Sequence, residues 1–160
     1  MKKKITCIIL FICIICGLGG IFYYQANHES ITTLIPKHND KSLTYSSIVL
    51  KSKGDKVYQI SQITKTNLAH YNEDELQTWI NELTDNYNQY KGINYTAKKT
   101  KKKLIETITV DVNKANAEAF EILGIDISLP KNKDSSKIKV TVSLKETVKS
   151  LKKEGYKINK

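Results

Sequence analysis

Twenty uncharged residues, 5–24 (ITCIILFICIICGLGGIFYY), directly follow Met1-Lys2-Lys3-Lys4, and no comparable apolar run recurs later in the chain. As a helix rising about 1.5 Å per residue, the run would extend about 30 Å, the hydrocarbon thickness of a bilayer. Whatever follows must therefore fold as something displayed at a membrane. Three lysines precede the run and no acid or lysine follows it until Glu29. The positive-inside bias then holds residues 1–4 in the cytoplasm and sends everything from about Gln25 onward outside.

Two other fates share this signature. A cleaved signal peptide also has a basic start and an apolar centre. The run is long for that role, and cleavage after Ala26 would set bulky Tyr24 where a small residue is wanted, although Gly17-Leu18-Gly19 offers small residues at a workable spacing. Acylation of a cysteine needs a small residue just before it, whereas Cys7 follows Thr6, Cys13 follows Ile12 and Cys16 follows Ile15. Cys16 is the least poorly formed lipidation site, at the right depth but after the wrong residue. The reading adopted is an uncleaved single-pass anchor in which the three cysteines are small apolar residues.

The formal charge is +10, and without the three leading lysines the rest holds 23 lysines against 16 acids. There is no arginine. Lysine is a hydrated point charge without a bidentate fork, so this composition suits diffuse attraction to polyanions better than geometric recognition. Nucleic acid is not an expected partner of an outward-facing domain. No cysteine lies beyond Cys16, so the outer part has to be held by core burial, and residues 41–160 suffice for one ordinary domain.

Residues 25–40 (QANHESITTLIPKHND) mix polarity without a sustained period and read as a tether. Residues 43–50 and 57–66 read as two strands of a hairpin around Lys53-Gly54-Asp55-Lys56. Asn72 followed by Glu75 is an N-cap signature, and Leu76, Trp79, Ile80, Leu83, Tyr87 and Tyr90 recur at helical spacing up to Gly92. This stripe reads as a core face with Trp79 at its centre. Residues 93–97 and 104–112 predict a second hairpin, in which Leu104, Ile108, Val110 and Val112 share a face that also holds Glu106. Residues 115–123 are helix-prone, 126–136 read as a loop, and 138–142 alternate as an edge strand would. Ser143 with Glu146 makes a capping box for a last helix that stops at Gly155, and Tyr156-Lys157-Ile158 follows as a short pairing. The fold class is α+β: an antiparallel sheet built from hairpins with two or three helices packed on it, preceded by one transmembrane helix.

Chemistry-bearing motifs are scarce. The chain has no Gly-rich phosphate loop, no paired cysteines and no HExxH, and its serines sit in no nucleophile-elbow context. His70, Glu73 and Asp74 fall at a helix start, where acids suit the dipole without any metal. No catalytic residue, metal site or cofactor is expected, and the chain reads as non-enzymatic. Asn94-Tyr95-Thr96 matches a glycosylation sequon but falls inside a strand pattern. The sharpest positive feature is Lys98, Lys99, Lys101, Lys102 and Lys103, five lysines within six residues at the tip of the second hairpin. They are candidates for binding anionic lipid or an anionic wall polymer, set against the plainer role of keeping a loop wet.

From about residue 42 to residue 157 the chain resembles the YehR-like lipoproteins, a family of bacterial envelope proteins of uncharacterised function. The matching stretches are Gly54-Asp55-Lys56-Val57, the helix ending in Tyr87 and Tyr90-Lys91-Gly92-Ile93, Glu106-Thr107-Ile108-Thr109-Val110-Asp111, and the closing Glu154-Gly155-Tyr156. The resemblance implies a compact α+β domain held at the outer face of a membrane, and it transfers no catalytic residue. The chain departs from the family at the lipidation cysteine. The functional expectation is an envelope binding module anchored in the cell membrane with its domain outside the cytoplasm. A lipoprotein attached at a cysteine, or an assembly partner of another membrane protein, are the alternatives.

Overall fold

The computed structural model describes residues 28–37, 44–69, 71–123 and 134–159. The expected anchor over 5–24, Cys16, His70 and most of the expected 126–136 loop lie outside them. Among the described residues, no helix is long and apolar enough to cross a membrane.

Seven strands form one sheet in the order β4-β5-β3-β2-β1-β7, with β6 pairing separately to β3, and every pairing is antiparallel. The centre is the expected first hairpin. Strand β2 (Thr44–Lys53) and strand β3 (Lys56–Asn67) turn at Gly54, whose φ of 59° is a left-handed value that glycine adopts without Cβ strain. Strands β4 (Ile93–Lys99) and β5 (Lys103–Asp111) are the second hairpin, and β5 lies along β3 from Asn67↔Lys103 to Gln59↔Asp111.

The expected tether is corrected over much of its length. Glu29–Pro36 is strand β1, hydrogen-bonded along β2 from Glu29↔Lys53 to Leu34↔Ile48, with Leu34 fully buried. Ile31, Thr32, Thr33 and Ile35 are β-branched and accept an extended backbone readily, but Ser30 and Thr32 interrupt the apolar alternation. The partner that makes the segment a strand lies some twenty residues away. Strand β7 (Tyr156–Ile158) closes on the other side of β1, as the short terminal pairing expected. The expected edge strand over 138–142 is also corrected. Val142–Ser143 (β6) is the only part that pairs with β3, at Lys56 and Val57, because β5 occupies the ladder beyond; Lys139 makes one isolated bridge to Asn116. Val140 and Val142 still turn inward, which is what the alternation recorded.

Three helices pack on one face of the sheet, where Leu34, Ile48, Leu50, Ile60, Ile108 and Val110 meet Ala117, Phe120 and Leu151 in one cluster. Helix α1 (Glu73–Asn88) starts as expected, with the Asn72 side chain accepting from the Asp74 amide. Helix α2 is Ala117–Glu121. Helix α3 (Leu144–Lys153) begins on the Ser143 cap, whose hydroxyl accepts from the Glu146 amide. Asp55 in the β2–β3 turn accepts from the Ser143 hydroxyl and the Lys145 amide, both at 2.8 Å, clamping α3 to the sheet end.

Trp79 is not the core's centre. It is half-buried and outside the main cluster, whereas Phe120 on α2 is fully buried. The reason is placement. Helix α1 packs along the edge strand β4, so Leu83, Tyr87 and Tyr90 reach the core and the earlier turns lean outward.

Gly92 and Gly155 both hold φ near +90°, but a Cβ at Gly92 would lie 2.6 Å from the Ala115 backbone nitrogen, while at Gly155 it would meet nothing within 4 Å. Gly155→Ala is expected to cost about 1 kcal/mol in backbone strain, and Gly92→Ala about 3 kcal/mol once the clash is added. Urea denaturation of the two variants measures this directly, and equal losses would contradict it.

Candidate functional site

The five tip lysines are brought together as expected, on a well-fixed turn. Thr100 and Lys103 close it through Thr100 N–H to Lys103 O at 2.8 Å and Lys103 N–H to Thr100 Oγ1 at 3.0 Å, and the Leu68 amide donates to Lys102 O at 2.9 Å. All five lysines are exposed. Lys99 turns towards the helix side and pairs with Glu73 at the start of α1, Nζ to Oε1 2.9 Å. Lys98, Lys101, Lys102 and Lys103 have no ion pair among the described residues.

Strand alternation puts Lys98 and Lys103 on the opposite, helix-free face. There they flank Ile105, which is paired with Lys98 on one side and Lys65 on the other. Lys65 is a member of this cluster that local reading missed. Only the β3–β5 register carries that information, because Lys65 and Lys98 are far apart in sequence.

A second candidate lies inside. Glu106, the acid on the apolar face of β5, is 5% exposed and accepts a hydrogen bond from the Tyr95 hydroxyl at 2.8 Å. Its other oxygen has no partner, and neither has Gln62 Oε1 one rung away on β3. Tyr95 is held in turn by Tyr87, ring centroids 5.9 Å apart, and by the Asn88 side chain. That amide accepts from Tyr95 N–H at 2.6 Å and donates to Tyr95 O at 3.3 Å, standing where another strand would pair. Asn88 thus covers an edge that would otherwise invite association. The sequence marked Glu106 as an exception to its stripe but gave no sign of Gln62 or Asn88. The patch offers buried hydrogen-bond acceptors, and no nucleophile sits beside it. No group of three metal-ligating side chains occurs among the described residues.

Burial pushes the Glu106 carboxyl above its ordinary 4.5, and the Tyr95 hydrogen bond offsets this only in part. An unfolded chain therefore releases this proton at lower pH than the folded one. Stability is expected to fall as pH rises from about 4.5 until the folded carboxyl also ionises. Glu106→Gln removes this dependence, so the variant should gain on the wild type with rising pH in urea titrations. A constant difference between the two across that range would exclude Glu106 as the source.

A family model described as "Protein of unknown function (DUF1307)" matches residues 37–157. The NMR structure of the E. coli YehR protein is similar, with a TM-score of 0.64 and 22% identity over 84% of this chain and 93% of that one. The NMR structure of a protein from Streptococcus pneumoniae TIGR4 is also similar, with a TM-score of 0.54 and 13% identity over 89% of this chain and 92% of that one. At these identities the likeness is one of fold, and the YehR-like domain expected from the sequence is borne out. No functionally curated protein matches the chain.

Proposed function

Taking as premise that the chain belongs to the DUF1307 family of proteins of unknown function, we propose that it is a non-enzymatic binding module of a bacterial envelope. The apolar run over 5–24 anchors it in the cell membrane, the domain stands outside the cytoplasm, and it holds an anionic component through the β4–β5 tip. The observation that carries this reading is the tip itself, where a turn closed by its own hydrogen bonds presents five exposed lysines, one of them engaged in an ion pair. Lysines held together on a fixed backbone reinforce one another without the entropy cost of gathering a flexible loop.

Each lysine close to an anionic surface contributes about 1 kcal/mol, so Lys101→Gln with Lys102→Gln should weaken binding roughly 30-fold. The measurement is affinity of the detergent-solubilised full chain for immobilised polyphosphate across a salt series, with Lys152→Gln and Lys153→Gln on α3 as a control of equal charge change. A control that loses as much as the tip variant would show attraction to net charge alone and remove the tip from the proposal.

Attachment is tested separately by the intact mass of the protein extracted from its own membranes. The full-chain mass is expected. A mass that starts at Cys16 and carries added acyl chains would replace the helical anchor by lipidation and leave the outer domain's role unchanged.

A further inference from the structure

The sheet is covered on one face only. Helices α1, α2 and α3 all contribute to the cluster on the inner face, and no described element covers the other. The uncovered face is a polar ladder with aliphatic side chains between, in which Ser61 and Thr109 are hydrogen-bonded across β3 and β5 at 3.1 Å. Its lysines come from five different strands: Lys51, Lys65, Lys98, Lys103 and Lys157. Against them stand Glu29 and Asp111, and Asp111 is already paired with Lys114 at 3.1 Å. The helical side has the opposite sign where α1 and α2 lie. Glu73, Asp74, Glu75, Glu82 and Asp85 on α1, and Glu118 and Glu121 on α2, occur in helices that hold no lysine.

The chain also reaches the sheet close to the apolar run. His28, whose carbonyl accepts from the Gly54 amide at 3.2 Å, lies four residues beyond Tyr24, at most about 14 Å of extended backbone. Ile31, on the helix-free face just past this point, is 68% exposed. The segment expected to lift the domain clear of the membrane is mostly strand, so the link left over is short.

We infer that the helix-free sheet face of residues 29–35, 47–51, 59–67, 94–98 and 103–111 docks on the anionic lipid headgroups of the bilayer in which residues 5–24 are anchored, with α1 and α2 facing away. This rests on the anchored, anion-binding reading above and names its partner. The tip then acts as one corner of a flat cationic surface, Lys98 and Lys103 being shared by both. A second copy of the chain is disfavoured as occupant, because two such faces repel one another.

The chain's single tryptophan, Trp79, reports from the helical side, and Thr96→Trp in a Trp79→Phe background moves the reporter to an exposed position of the helix-free face. Thr107→Trp, paired with Thr96 on β5, serves as a second reporter should the first disturb the edge strand. The full chain is reconstituted in phosphatidylcholine vesicles, with or without about one third phosphatidylglycerol, containing lipid spin-labelled at the headgroup. On anionic vesicles the helix-free reporter is expected to lose at least about half its fluorescence, to recover it near 0.5 M salt, and to be unaffected on neutral ones, while Trp79 in the natural chain stays unquenched. Lys51→Gln, Lys98→Gln and Lys103→Gln together should abolish the quenching.

Equal quenching of both reporters, or none at the helix-free face, in chains that still float with vesicles at high salt overturns the docking and leaves the anchor standing. Binding of soluble polyphosphate by this face without any lipid quenching assigns it to a polymer and overturns the docking as well. Chains that fail to float with vesicles at high salt bring down the anchored reading and the docking with it.

Discussion

The ladders on the two sides of β3 hold this structure together. Along one edge β3 pairs with β2 from Thr66 to Lys56, and along the other with β5 and then with the two residues of β6. Every other element is placed by that strand or by its immediate partners. Strand β1 is reached through β2, and β4 through β5, while the turn that starts β3 also clamps the first turn of α3 through Asp55. Few of these pairings are local apart from the two hairpins, so most of the fold depends on contacts between distant segments.

Because the helices cover one face, burial is graded along the sheet as well as across it. Towards the β2–β3 turn, the inner face is apolar and closed, with Val57, Ile60, Leu50 and Val110 under Phe120 and Leu151. Towards the β4–β5 tip, the same face carries Thr64, Gln62 and Glu106, and part of their hydrogen-bonding capacity is unmet. Polar groups without partners cost stability, so this end of the domain is held less tightly than the other. The Tyr95–Glu106 pair and the Asn88 clamp on β4 partly offset that cost at the edge.

What could be read from the sequence divides along the same line between local and distant contacts. Both hairpins, the Asn72 and Ser143 caps and the stops near Gly92 and Gly155 were legible, since each is written in a few neighbouring residues. Strand β1 was not, because its identity is conferred by β2 and its own alternation is broken by Ser30 and Thr32. Trp79 misled for a related reason: a helical stripe shows which side of a helix is buried but not whether the helix lies over the middle of a sheet or along its edge. The lysine tip was visible as a run, whereas its extension to Lys65 and Lys51 exists only in the register of three strands. The anchor expected over 5–24 lies outside the described residues and rests on the sequence alone.

The absence of arginine gives this surface a particular character. A guanidinium fork would hold one phosphate or carboxylate in a fixed geometry, and its loss would be felt at a single position. Ammonium groups spread over five strands and a turn impose no such geometry, and they interact with an anionic surface through their summed field. Recognition of that kind leaves no short motif in a sequence, because the residues that share a field need be neither adjacent nor arranged at a fixed spacing. A protein of this family can therefore carry a function on its sheet face while showing none of the constellations by which catalytic or metal sites are found. The physical signature to compare between relatives is the sign and extent of charge on the helix-free face, more than the identity of any one lysine.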